Sequence, residues 1–186
     1  MKLFLKNMVS DRCKMSLKSE LKKLGLNYTT LELGQVEILG NITNEQRNLL
    51  DIGLKKSGLA LVNDHKSILI ERIKNIIIEL VHYSDSQLKV NLSEHLSEKL
   101  NYDYTYLANV FSESQGLTIE HFLLTHKIEH VKELLIYNEL NITEIADKMH
   151  YSSVAHLSNQ FKKFTGLTPS HYKHLKYKGR KTLETL

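Results

Sequence analysis

A stretch of this chain occurs twice at a fixed spacing. Leu107-Ala-Asn109-Val-Phe111, four residues and Gly116-Leu-Thr-Ile-Glu-His121-Phe122 are answered, 50 residues later, by Leu157-Ser-Asn159-Gln-Phe161, four residues and Gly166-Leu-Thr-Pro-Ser-His171-Tyr172. Upstream, Asn91-Leu-Ser-Glu94 pairs with Asn141-Ile-Thr-Glu144 at the same offset, whereas Glu98-Lys99-Leu100 and Tyr102 pair with Asp147-Lys148-Met149 and Tyr151 at an offset of 49. The first copy is therefore one residue longer in its opening helix and one shorter in the following turn. A period this long governs the whole fold. Two copies are too few for a solenoid, so a duplicated supersecondary unit is expected.

Each copy opens on Asn-x-x-Glu, whose side chains can satisfy free amides at a helix start. The pattern predicts short helices over 92–100 and 142–149, tight turns at Asn101-Tyr-Asp103 and His150-Tyr-Ser-Ser153, and second helices over about 104–115 and 154–165. Leu107, Val110 and Phe111 mark the buried face of one second helix; Leu157, Phe161 and Phe164 mark the other. Two short helices about such a turn make a helix-turn-helix. Between the copies, Leu124, Ile128, Val131 and Leu135 hold one apolar stripe over residues 119–137. That helix is roughly 30 Å long at about 1.5 Å per residue, against about 34 Å for a turn of B-DNA. It is suited to present two recognition helices to successive major grooves.

Ahead of the repeat, residues 1–63 predict strand, helix, strand, strand, helix, strand. Leu3-Phe-Leu5 is an apolar strand, and Cys13, Leu17, Leu21 and Leu24 fall at helical spacing before a stop at Gly25. Tyr28–Leu33 and Gln35–Leu39 read as a hairpin turning at Gly34. Thr43-Asn-Glu-Gln46 is a capping box for a helix that Gly58 ends, and Leu59–Val62 is the last strand. This order is the ferredoxin-like split unit. The segment resembles the small domains of the heavy-metal-associated family, which carry Cys-x-x-Cys before their first helix. Here the matching stretch is Met8-Val-Ser10-Asp-Arg-Cys13, with Ser10 in place of the first cysteine. One thiolate and one hydroxyl do not make the two-thiolate site such a resemblance implies. Cys13 alone remains as a metal-ligand candidate, and a small, partly buried helix residue is the expected reading. A docking, dimerisation or small-ligand role is expected for these residues.

Residues 64–90 continue without a glycine-rich linker. Asp64 or Asn63 can cap a helix with Leu69, Ile73, Ile76, Ile77 and Leu80 on one stripe, ended by Asp85, Ser86 and Gln87.

Residues 66–178 resemble the paired helix-turn-helix domain of the AraC/XylS family of bacterial transcription regulators. The resemblance rests on Ile145-Ala146, then Leu157-Ser-Asn-Gln-Phe161-Lys162-Lys163, then Gly166-Leu-Thr-Pro169-Ser-His-Tyr172. The family's usual turn glycine is His150 here, its usual arginine in the connecting helix is Lys127, and neither recognition helix contains Arg. The fold class expected is α+β at the N-terminus followed by an all-α double helix-turn-helix. The expected division is 1–63 ferredoxin-like, 64–178 DNA-binding and 179–186 a basic tail.

The formal net charge of +4 is unevenly spread, with −4 over residues 85–120 and +6 over residues 141–181. A basic second copy is the footprint expected of polyanion binding. Positions off the core face are Thr105, Ala108, Asn109 and Ser112 in the first recognition helix, and Ala155, His156, Asn159 and Gln160 in the second. Asn109 and Asn159 hold the same place in the repeat, where the resemblance implies a base-reading side chain; an Asn can pair bidentately with adenine. Ser152, Ser153, Lys162, Lys163, Lys173, Lys176 and Lys178 are the expected phosphate contacts, which position without reading sequence.

No Ser/His/Asp set, phosphate-cradling glycine loop or paired carboxylates occur in supporting context, so an enzyme is not expected, nor is a cofactor. His126 and His130 are four apart and can share a zinc ion, but the sequence places no third ligand with them convincingly, although His121 and Glu129 are near. Packing or solvated histidines are the expected reading. One cysteine excludes an internal disulfide and suits a reducing cytosol. No apolar run reaches the roughly 20 residues that span a bilayer. The N-terminus shows no signal-like apolar region. The expectation is a cytoplasmic bacterial transcription regulator that binds double-stranded DNA, contacts RNA polymerase if it activates, and responds to a small-molecule or protein effector through residues 1–63. The alternative is a ligand- or metal-binding sensor or adaptor whose helical half docks protein.

Overall fold

The computed structural model describes residues 1–83 and 90–175. Asp85, Ser86 and Gln87, expected to end a helix, Lys176 and Lys178, expected phosphate contacts, and the basic tail expected at 179–186 lie outside these residues. The chain divides into two compact units, Met1–Ile78 with Val90–Gly116, and Glu79–Lys89 with Leu117–Leu186.

In the first unit, β1 (Lys2–Lys6), α1 (Asp11–Lys23), β2 (Tyr28–Glu32), β3 (Gln35–Ile38), α2 (Asn44–Lys55) and β4 (Ala60–Val62) follow one another. The strands pair antiparallel in the order β2-β3-β1-β4. This is the sheet that the split order of strands and helices dictates. Alternation along β1 buries Leu3 and Leu5 and exposes Lys2 and Lys6, as a strand with one covered face requires. Val36 and Ile38 of β3 join them, and Leu17 and Leu21 of α1 with Leu50 and Leu54 of α2 cover that face. Thr43 and Gln46 form the expected capping box at the start of α2.

The helix α3 (His65–His82) begins where the Asp64 carboxylate accepts the Ser67 amide at 2.9 Å. Its buried residues in the first unit are Leu69, Ile70, Ile73, Ile77 and Ile78, with Ile76 half-buried. The burial is wider than one stripe because Asn75 is also buried, on a further face. Asn75 lies against the β2–β3 turn, where a Cβ added at Gly34 would overlap its side-chain amide. Gly34 also holds φ +77, a left-handed conformation that glycine adopts without cost. The two-residue turn and the helix thus meet backbone to side chain. The unit is completed by α4 (Leu92–Leu100) and α5 (Tyr104–Gln115).

The second unit contains α6 (Ile119–Tyr137), α7 (Ile142–Lys148), α8 (Val154–Thr165) and helical residues 169–175. Its core joins Val81 from the end of α3 to Ile128, Val131, Leu135, Ile145, Ala146, Met149, Leu157 and Phe161.

Gly34→Ala is expected to lower stability by about 1–3 kcal/mol, since it adds both overlap and backbone strain. Urea unfolding of Gly34→Ala and of Gly34→Ala with Asn75→Ala separates the two: the double variant recovers the overlap and keeps the strain.

Candidate nucleic-acid interface

Helices α4 and α5 form one helix-turn-helix, and α7 and α8 the other. In the first, the Asn91 side chain accepts the Glu94 amide at 2.9 Å. In the second the box closes in both directions, with Glu144 N–H to Asn141 Oδ1 at 3.0 Å and Asn141 N–H to Glu144 Oε2 at 2.7 Å. The turns meet the same backbone demand: Asn101 has φ 58 and His150 φ 55. Asn tolerates that left-handed region, and His adopts it more often than most residues. His150 stands where the family resemblance leads one to expect Gly, yet the glycine-like geometry is kept. The offset of 49 that pairs Tyr102 with Tyr151 pairs these two residues as well.

The repeated Gly-Leu-Thr is a stop and a start. Gly116 and Gly166 close α5 and α8 in left-handed conformations, φ 69 and φ 80. Two residues on, the Thr118 hydroxyl accepts the His121 amide at 3.2 Å and the Thr168 hydroxyl accepts the His171 amide at 3.3 Å, opening the next helix. The repeated Asn-x-Phe follows from helical geometry. Phe111 and Phe161 are fully buried, and a residue two places away lies about 200° around the helix. Asn109 and Asn159 are accordingly exposed.

Of the other positions on α5, Thr105 is exposed, and Ala108 and Ser112 are half-buried. On α8, Ala155, His156, Lys162 and Lys163 are exposed and Gln160 is half-buried; Ser152 and Ser153 in the preceding turn are exposed, and Lys173 is half-buried. Ser153 caps α8, its hydroxyl accepting the His156 amide at 3.1 Å, while Ser152 Oγ lies 3.0 Å from His156 Nδ1. The equivalent cap on α5 is a carboxylate: Asp103 accepts the Thr105 amide at 2.8 Å and the Tyr106 amide at 3.4 Å. An anion there offsets the positive helix end that a phosphate would otherwise meet. The neutral Ser153 cap leaves α8 its positive end, and Lys162 and Lys163 lie in its last turn.

A pair of residues not singled out from the sequence also faces outward on the first copy. Tyr102 and Tyr106 stack with ring centroids 5.4 Å apart and are 48% and 45% exposed. Their spacing of four residues at a helix start is a readable signal. Tyr102 aligns in the repeat with Tyr151, which is only 8% exposed. Tyr151 sits under the Lys127 ammonium, 5.1 Å from its ring centroid, and Lys127 Nζ donates to the Met149 carbonyl at 3.0 Å. Lys127, which stands where the resemblance implies Arg, thus holds the end of α7. Burial holds its ammonium below the usual lysine range. Burial also pushes the Tyr151 phenol up to about 12, and its hydroxyl, like His150 Nε2, has no hydrogen-bond partner among the described residues.

In the N-terminal part, Cys13 Sγ lies 3.4 Å from Ser10 Oγ and 3.8 Å from the Asn7 carbonyl. Burial raises the thiol, but hydrogen bonds from Ser10 and from the Val9, Ser10 and Cys13 backbone outweigh it and hold the thiol below its usual value.

Residues 96–174 match the helix-turn-helix domain family. Over 96 residues the chain is 41% identical to an HTH-type transcriptional regulator of Staphylococcus aureus, a match covering 52% of this chain and 12% of that protein. It is 24% identical over 107 residues to the HTH-type transcriptional regulator YtdP of Bacillus subtilis, covering 57% of this chain and 14% of YtdP. The chain thus spans only a small part of the length of these relatives. Among solved structures, the C-terminal domain of AraT, a response regulator from Geobacillus stearothermophilus, is 30% identical with a TM-score of 0.52, over 60% of this chain and 88% of that one. The DNA-binding domain of AdpA, a global transcriptional factor solved in complex with a target DNA, shares the fold at 20% identity and a TM-score of 0.50, over 60% of this chain and 94% of that one.

His150→Gly is expected to stabilise the protein by about 1 kcal/mol, because it removes a side chain from a left-handed turn. Tyr151→Phe is expected to leave stability unchanged or raise it by up to about 1 kcal/mol, since a buried hydroxyl without a partner is desolvated for no return. Thermal unfolding checks both; a clear loss in either variant contradicts the stated cause.

Proposed function

We propose that this chain, whose residues 96–174 carry a helix-turn-helix domain of the AraC type, is a sequence-specific DNA-binding regulator of transcription. The observation that carries this reading is the pair of exposed Asn109 and Asn159 on two recognition helices built to one plan. Each Asn projects opposite a buried Phe, as a side chain reaching a base edge must. A bidentate Asn–adenine pair contributes about 1–3 kcal/mol of discrimination. Thr105, Ala108, Ala155, His156 and Gln160 flank the two Asn residues and complete the reading faces. One recognition helix enters each of two successive major grooves, with α6 as the spacer.

The phosphate grip falls to the second copy. Ser152 and Ser153 at the start of α8, and Lys162, Lys163 and Lys173 beyond it, are the phosphate ligands, joined by Lys176 and Lys178. The first copy, capped by Asp103, contributes readout and spacing. The N-terminal α+β part is the effector-responsive region. In support, a cleft of about 570 Å³ is lined by Lys6 and Asn63 of that part, together with Asp64, Glu71 and Lys74 of the following segment and Ser114 and Gln115 at the end of α5, and has room for a small polar molecule. Contact with RNA polymerase follows if the chain activates.

Selection of bound sequences from random DNA tests the reading: an enriched motif with salt-dependent affinity is expected. No enrichment and no salt dependence would defeat it in favour of a helical half that docks protein. Asn109→Ala is expected to relax sequence preference with the salt slope unchanged. Lys163→Ala is expected to weaken all sequences alike and reduce the slope by about one. Mobility shifts across a salt series distinguish the two.

A further inference from the structure

Four titratable side chains that DNA binding leaves unused gather in the second unit. His82 comes from the last turn of α3, and His126, His130 and Glu133 from successive turns of α6. The His82 and His130 rings are 4.5 Å apart between centroids, and His126 stands edge-on to His82 at 6.3 Å. His130 Nδ1 lies 3.0 Å from Glu133 Oε2. One nitrogen of His82, one nitrogen of His130 and one oxygen of Glu133 all lie within 4.8 Å of one another. His126 and His130 are legible in sequence as a helical pair. The two residues that join His130 are His82, 48 positions before it, and Glu133, not His121 or Glu129.

We propose that His82, His130 and Glu133 bind a first-row transition-metal ion, best suited to Zn(II), with His126 beside them as a further imidazole donor. The two imidazole nitrogens are borderline donors, and with one carboxylate they favour such ions over Mg²⁺ or Ca²⁺. At metal–ligand distances of about 2.0–2.2 Å, tetrahedral ligand atoms stand roughly 3.3 Å apart. Rotation about the side-chain torsions of three partly exposed residues closes the remaining gap. The ion ties the end of α3 to the middle of α6, the helix whose Lys127 holds the end of α7. Its effect is to brace the second helix-turn-helix.

The test uses the full chain, stripped with a chelator and titrated separately with ZnCl₂, CoCl₂ and MgCl₂. Calorimetry is expected to show one Zn(II) per chain, and bound Zn(II) to raise the unfolding midpoint; MgCl₂ is expected to do neither. His82→Gln and His130→Gln are each expected to weaken Zn(II) binding by about tenfold or more, while His95→Gln, in the first unit, leaves it unchanged. The Co(II) adduct of the unmodified chain is expected to show the intense visible bands of a four-coordinate nitrogen and oxygen site. Imidazole nitrogen resonances in the same chain identify the histidines that bind, whether or not a variant folds. Absence of Zn(II) binding by the folded chain, or shifts confined to histidines other than His82, His126 and His130, would overturn the proposal. DNA binding is scored separately and does not enter this result.

Discussion

Helices of 7 to 12 residues are marginal in water by themselves, and α4, α5, α7 and α8 are all in that range. They exist because each pair buries an apolar seam. Leu96, Leu100, Leu107, Val110 and Phe111 supply the seam of the first pair, and Ile145, Ala146, Met149, Leu157 and Phe161 that of the second. A fully buried Phe on each recognition helix sets its rotation, so the face left to solvent is determined by packing. The positions of Asn109 and Asn159 follow from Phe111 and Phe161. Loss of either aromatic ring would cost stability and also free the helix to rotate its exposed face away.

Capping divides the two copies more than folding does. The Asn91 and Asn141 caps, the Gly116 and Gly166 stops and the Thr118 and Thr168 starts repeat almost unchanged. What differs is charge at the end of the recognition helix. Asp103 puts an anion where Ser153 puts a hydroxyl, and the basic residues cluster in the second copy. A shared backbone plan thus carries unlike fields at the start of its second helix.

The element order was legible because the signals that set it are local. Thr43 and Gln46 announce α2, Gly116 ends α5 within its own turn, and alternation along Lys2–Lys6 marks a strand with one buried face. The sheet order follows from the strand and helix sequence. Long-range approach was not legible. Nothing near Asn75 in the sequence says that it is buried, because the cause is the turn at Gly34. The partnership of His82 with His130 is equally hidden, since periodicity reports faces of one helix and not the neighbours those faces meet. Tyr102 and Tyr151 show the limit of the repeat itself: equivalent positions with opposite exposure, the second lying under the half-buried Lys127.

The sheet order described for the first unit has two open edges, β2 and β4. An open edge is a template on which another chain can add a strand and begin to aggregate. Here β4 offers only Ala60–Val62, and β2 carries a break in register between Tyr28 and Thr30. Neither presents a long, flat ladder of unpaired backbone groups. The small sheet is therefore protected against self-association by the brevity of one border and the irregularity of the other.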